Sequence, residues 1–160
     1  MGTRCLTVFQ DNDGTEIAVL YRQFDGYPDG MGNDLKEFLA PKRLVNGMSG
    51  DTSKVANGMG CLAAQIVAHF KTEAGNFYLY PAGARDCGEE FIYTLYPAVG
   101  VIHMRVQAGS VTFFGMPGTK QGNMGILYDG PASAFDSDRA DKVRKEIRDE
   151  IPNDFIEGQK

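Results

Sequence analysis

Three groups of residues have the types and spacings from which chemistry can be built. In Gly47-Met48-Ser49-Gly50-Asp51-Thr52-Ser53-Lys54, hydroxyls, glycines and a cation crowd together ahead of a helical apolar pattern. Backbone N–H groups in Gly-rich turns and at helix starts are natural hosts for anions, phosphate above all. The run has the outline of a Walker A loop, yet no Gly precedes Lys54, and Ser53 stands before that Lys where Ser or Thr should follow it. A nucleotide triphosphatase is therefore unsupported. What is left is a looser phosphate nest with Ser49, Thr52, Ser53 and Lys54 as donors, or plain capping of the next helix, which uses the same N–H groups.

The second group is Tyr21, Arg22, Gln23, Asp25 and Tyr27. Arg forks onto phosphate or carboxylate, Tyr offers a flat ring with a polar tip, and Asp and Gln read hydrogen-bonding edges. The competing reading is a structural corner, because Phe24-Asp25-Gly26-Tyr27-Pro28 is strongly turn-forming and Asp25 can pair with Arg22. The third group is catalytic in type: Cys87 with His103 as a nucleophile pair. Such a pair needs hydrogen-bond reach and a basic neighbour; Arg85 helps, whereas Asp86, Glu89 and Glu90 oppose it. No catalytic residue is assigned. No HxH or HxxxH spacing and no CxxC pair occurs, so neither a metal site nor a cofactor is expected. Asp11, Asp13 and Glu16 fall short of the ligand set of a calcium loop.

The elements that must position these groups follow from periodicity. Leu6–Phe9 and Ile17–Tyr21 are β-prone runs separated by Asp11-Asn12-Asp13-Gly14, which predicts a hairpin over 3–23. A short helix is capped by Asn33 or Asp34 and stopped by Pro41. Val55, Met59, Leu62, Ala63, Ile66, Val67 and Phe70 recur at three and four, predicting a helix from Thr52 or Ser53 within a helical segment 33–72. Gly58 and Gly60 then lie inside it at a cost of about 1 kcal/mol each, which close approach of a backbone or ligand would offset. Phe77–Tyr80, Phe91–Tyr96, Val101–Val106 and Val111–Phe114 predict a β-meander over 76–115. In the third run Val101, His103 and Arg105 share one face and Ile102, Met104 and Val106 the other. A Gly/Pro-rich loop over 115–133, with a short strand at 125–128, leads to a charged helix over 137–150 striped by Ala140, Val143, Ile147 and Ile151. Asn46-Gly47-Met48-Ser49 and Asn57-Gly58-Met59-Gly60 echo each other, without a longer repeat.

The 160 residues are 42% hydrophobic and 23% charged, which excludes a disordered spacer and suits one domain with its own core. Net charge −5 argues against general nucleic-acid binding. No apolar run reaches the roughly 20 residues of a membrane span, and residues 1–6 show neither the apolar h-region of a signal peptide nor a myristoylation signal. Three cysteines without a framework predict a reduced, cytoplasmic protein.

The runs Leu20–Gly32 and Asn46–Cys61, with Phe77–Tyr80 and Asp86–Glu89, resemble a family of small bacterial and phage proteins over most of the chain. The resemblance implies no activity, so no functional residue comes with it. In size and general character the chain is similar to phage sponges that sequester nucleotide signals of bacterial immunity. The expectation is a single α+β domain over 1–160: an antiparallel sheet of about six strands, with the Gly-containing and C-terminal helices on one side. It binds, without catalysis, a small phosphate-bearing or nucleotide-like ligand through Tyr21, Arg22, Gln23, Asp25, Tyr27, Ser49, Thr52, Ser53, Lys54 and Arg105. The embedded glycines point to a homo-oligomer. The alternatives are a small hydrolase using Cys87 and His103 or carboxylate-bound Mg²⁺, and a structural protein without a ligand.

Overall fold

The computed structural model describes residues 2–47, 50–108 and 125–149. The hairpin forms as its turn chemistry requires: β1 (Cys5–Gln10) and β2 (Glu16–Arg22) pair antiparallel. Gly14 takes φ +82°, and the Asp13 carboxylate accepts the Thr15 N–H at 2.9 Å. A π-helical turn over Pro28–Gly32 then runs into α1 (Asn33–Leu39). Asn33 is consequently not a helix cap, and Asp34 lies inside α1. The Asn33 side-chain amide donates to Asp29 Oδ1 and to Ser137 Oγ on the last helix.

The long helix starts later than the apolar spacing suggests. Val55–Asn57 is a strand, β4, parallel to β3 (Arg43–Val45), and α2 runs from Gly58 to Phe70. Gly58 takes φ +80°, which ends the strand and aims the chain into the helix. Both glycines thus sit in the first turn of α2. A Cβ at either would meet nothing within 4 Å, so among the described residues no close approach of the chain's own atoms explains them.

Six strands form one sheet in the order β5-β2-β1-β6-β7-β8, where β5 is Phe77–Tyr80, β6 Phe91–Ala98, β7 Val101–Ala108 and β8 Ile126–Pro131. The sheet is not wholly antiparallel. β1 and β6 run parallel, joining two antiparallel three-strand halves, β5-β2-β1 and β6-β7-β8. β5 therefore stands at an edge beside β2 and is no part of a meander. Val111–Phe114 and Ser49 lie outside the described residues. β8 is longer than the short strand expected, and a 3-10 turn over Ala132–Ala134 joins it to α3 (Ser137–Asp149).

One face of the sheet carries the main core. Phe9, Leu20, Phe91, Tyr93, Leu95 and Met104 pack there with Leu35 of α1 and Leu62 and Ile66 of α2. Ala140 of α3 belongs to the same core, with Val143 and Ile147 packed against it. The alternation in β7 holds: Ile102, Met104 and Val106 are buried, while Val101, His103 and Arg105 are not. The opposite face is covered in part by the loop 81–90, which carries the chain from edge strand β5 past β2 and β1 to β6. Ala84 and Cys87 of this loop pack on a second core of Leu6, Val8, Val19, Tyr21 and Ile92. Among the described residues no helix is long and apolar enough to cross a membrane.

Candidate functional site

The group at the end of β2 does not converge. Successive strand residues point to opposite faces, so Tyr21 packs under the 81–90 loop beside Tyr78 and Tyr80, with ring centroids 5.8 and 5.7 Å away. Burial pushes its phenol pKa up. Arg22 lies on the helix side, where it donates to Asp34 Oδ2 at 2.7 Å and sits 5.2 Å from the Phe77 ring centroid. Asp25 (φ +60°) accepts the Tyr27 hydroxyl at 3.2 Å, and both are exposed. The Gln23 N–H donates to the Asn76 carbonyl. This is the structural corner, with Asp34 rather than Asp25 as the arginine's partner.

Thr52, Ser53 and Lys54 are exposed and precede β4, three strand residues short of α2. The Asp51 carboxylate already accepts both the N–H and the hydroxyl of Ser53, and the Ser53 carbonyl accepts the Lys42 ammonium at 2.9 Å. Arg105 lies on the other side of the sheet. It bonds Asp129 at 3.2 Å and covers the Tyr96 ring, while the Tyr96 hydroxyl also donates to Asp129. Burial first, then that hydrogen bond and the Asp129 charge, push the Tyr96 pKa up.

Cys87 and His103 remain separate. Cys87 packs near Leu6 and Ile92, while His103 lies tilted against Tyr96, four residues and roughly 13 Å further along β6. Burial, followed by the charges of Glu89 and Asp86, raises the Cys87 thiol pKa, the reverse of what a nucleophile needs. Among the described residues no group of three or more His, Cys, Asp or Glu is placed to hold a metal ion.

The structure does assemble a hollow that the sequence reading passed over. A pocket of about 480 Å³ lies where β1, β6, β3 and β4 all end and α2 begins. Asn12, Asn46 and Asn57 supply polar groups, and Leu44, Met59 and Pro97 supply apolar wall. The carboxyl ends of parallel strands are where open α/β sheets collect ligands. Asn57, the residue before α2, makes no side-chain cap; its Oδ1 instead accepts the Gly47 N–H at 2.9 Å. Asn57 thus leaves the start of a 13-residue helix without a side-chain cap among the described residues, beside the pocket and with the positive end of its dipole there. Among the described residues no charged one lines it. The echoing Asn46-Gly47 and Asn57-Gly58 steps were the available signal: they end neighbouring parallel strands, with Val45 in register with Asn57.

The rim of this pocket holds strained backbone. Gly100 lines it, and Val99 before it takes φ +52° while its side chain is fully exposed. Two successive positive φ values suit the tight β6–β7 turn, but a β-branched residue resists that conformation by about 1–2 kcal/mol. Val99→Asn is expected to raise stability by about 1 kcal/mol, read from the urea midpoint. A lowered midpoint would refute the strain. No family model, no curated protein and no solved structure matches the chain.

Proposed function

We propose that the protein binds a small phosphate-bearing ligand, without altering it, in the pocket at the start of α2. The observation that carries this reading is the helix start that Asn57 leaves without a side-chain cap, beside a 480 Å³ pocket to which three asparagines contribute. Helix dipole and backbone N–H groups favour an anion there even though, among the described residues, no side-chain cation lines the wall. Leu44, Met59 and Pro97 give a nucleotide-like body an apolar surface to lie on. The donors thus shift from Ser53 and Lys54 to Asn12, Asn46, Asn57 and the first amides of α2. Sequestration of a nucleotide signal in a reduced cytoplasm is the biological form of this proposal, supported by size and general character and by three free cysteines. Self-association is a separate proposal. It rests on the embedded glycines Gly58 and Gly60, around which the described residues leave open space, and native mass spectrometry tests it.

The test is thermal denaturation with inorganic phosphate, pyrophosphate and a panel of mono- and dinucleotides. A ligand held by the native state raises Tm with concentration and is recovered intact after heating. Asn57→Asp keeps the acceptor for Gly47 and adds a negative charge at the helix start. It should fold at least as well as the parent and bind the phosphate compound about tenfold more weakly. The reading fails if no phosphate compound shifts Tm, or if Asn57→Asp retains parental affinity. Recovery of a hydrolysed product would replace binding with catalysis.

A further inference from the structure

A second hollow, of about 390 Å³, lies between α1 and the last turn of α2, with Pro41 and Lys42 closing one side. Its chemistry is opposite to that of the first. The Phe38 ring stands 4.6 Å from the His69 imidazole, and His69 meets Phe70 edge-on at 4.8 Å, so three rings form one wall. Asp34 and Glu37 of α1 bring two carboxylates to it. Arg22 matches the Asp34 charge, while exposed Glu37 has no ion pair among the described residues. α2 ends at Phe70, so the negative end of its dipole adds to the same potential.

The chain itself shows what this surface accepts. The Lys42 ammonium lies 4.6 Å from the Phe38 ring centroid, tethered by one hydrogen bond to the Ser53 carbonyl. An aromatic face next to an unmatched carboxylate attracts ammonium and guanidinium groups, with more force as they lose water. We infer that this cleft is a binding site for a small organic cation, an alkylammonium or guanidinium, whose carbon body lies on Phe38 and Phe70 and whose charge is met by Glu37. Lys42 is its internal competitor. It holds the ring face until a free cation takes its place.

Putrescine and 1,4-butanediol, equal in carbon chain and differing in charge, are the probes, followed through the backbone amide signals of ¹⁵N-labelled full-length protein. Putrescine should shift the amides of residues 34–40, 42, 69 and 70 saturably, and the diol should not. Glu37→Gln, an exposed substitution, should weaken putrescine roughly threefold. Lys42→Met keeps the apolar stem, removes the competing charge, and should tighten binding by a similar factor. The inference is overturned by the absence of a saturable shift, by shifts shared with the carboxylates of α3, by equal binding of the diol, or by a Kd unchanged in either variant.

Discussion

Gly26→Ala is expected to destabilise the protein by about 3 kcal/mol, whereas Gly60→Ala is expected to stabilise it by about 0.5–1 kcal/mol. Gly26 lies against the chain entering β1. A Cβ there would stand 2.8 Å from Cys5 Cβ and 2.9 Å from the Arg4 carbonyl carbon and the Cys5 nitrogen. The backbone has no room to withdraw, because the Gly26 N–H donates to the Thr3 carbonyl at 2.9 Å and its own carbonyl accepts the buried Tyr93 hydroxyl at 2.7 Å. Retreat breaks one bond or the other and leaves a buried polar group unmet. Gly60 is the opposite case: it sits in a helix with open space around it, so Ala adds helix propensity at no steric cost. Urea denaturation of both variants checks the pair. A parental midpoint for Gly26→Ala, or a lower one for Gly60→Ala, would contradict this account.

The second large effect is expected at Glu89. Its side chain is fully buried under the loop 81–90, and Oε2 accepts the Cys87 N–H at 2.7 Å while Oε1 accepts that of Asp86 at 3.3 Å. The loop needs this anchor because Gly83, Asp86 and Gly88 all take positive φ, leaving it little regular hydrogen bonding of its own. Glu16 holds the other end, bonding the Gly83 N–H at 2.7 Å and Arg85 at 2.5 Å. Burial pushes the Glu16 carboxyl up, but those two bonds and the guanidinium charge outweigh it and hold the pKa below its usual value. Glu89→Ala removes the anchor and should cost about 3 kcal/mol, uncovering Leu6, Val8, Val19 and Ile92. Denaturant midpoints and binding of an apolar dye report both consequences. Glu89→Gln, which keeps one acceptor oxygen, should fall between. Equal stability of Glu89→Ala and the parent would show that the loop covers the sheet without this carboxylate.

What the sequence made legible depended on local chemistry. Asp11-Asn12-Asp13-Gly14 specifies a hairpin turn by itself, and the polar and apolar alternation of 101–106 specifies a strand with one buried face. The start of α2 was obscured because Val55, although it belongs to β4, extends the helical spacing of Met59 and Leu62. Asn57-Gly58 was the better boundary marker, since that dipeptide signals a turn. The parallel β1–β6 contact was not legible, because nothing near either strand records a partner so distant in sequence. The one trace of it in the sequence is the mostly apolar run Cys5-Leu6-Thr7-Val8-Phe9, which the structure buries on both faces. Tyr21 and Arg22 could have been separated in advance, since a strand reading of 17–21 already sends neighbours to opposite faces. The pocket at α2 was invisible for a different reason: its walls come from four connections, each an ordinary turn when read alone.

The seam between the two halves also governs how a nascent chain is made safe. Cys5 pairs with Phe91, so β1 leaves the ribosome long before the neighbour that will shield it. Until β6 arrives, the first half offers a bare apolar edge, the kind that recruits chaperones or a stray strand from another molecule. Slow translation through residues 11–90 would prolong that exposure, so the yield of soluble protein depends on how promptly the second half is synthesised.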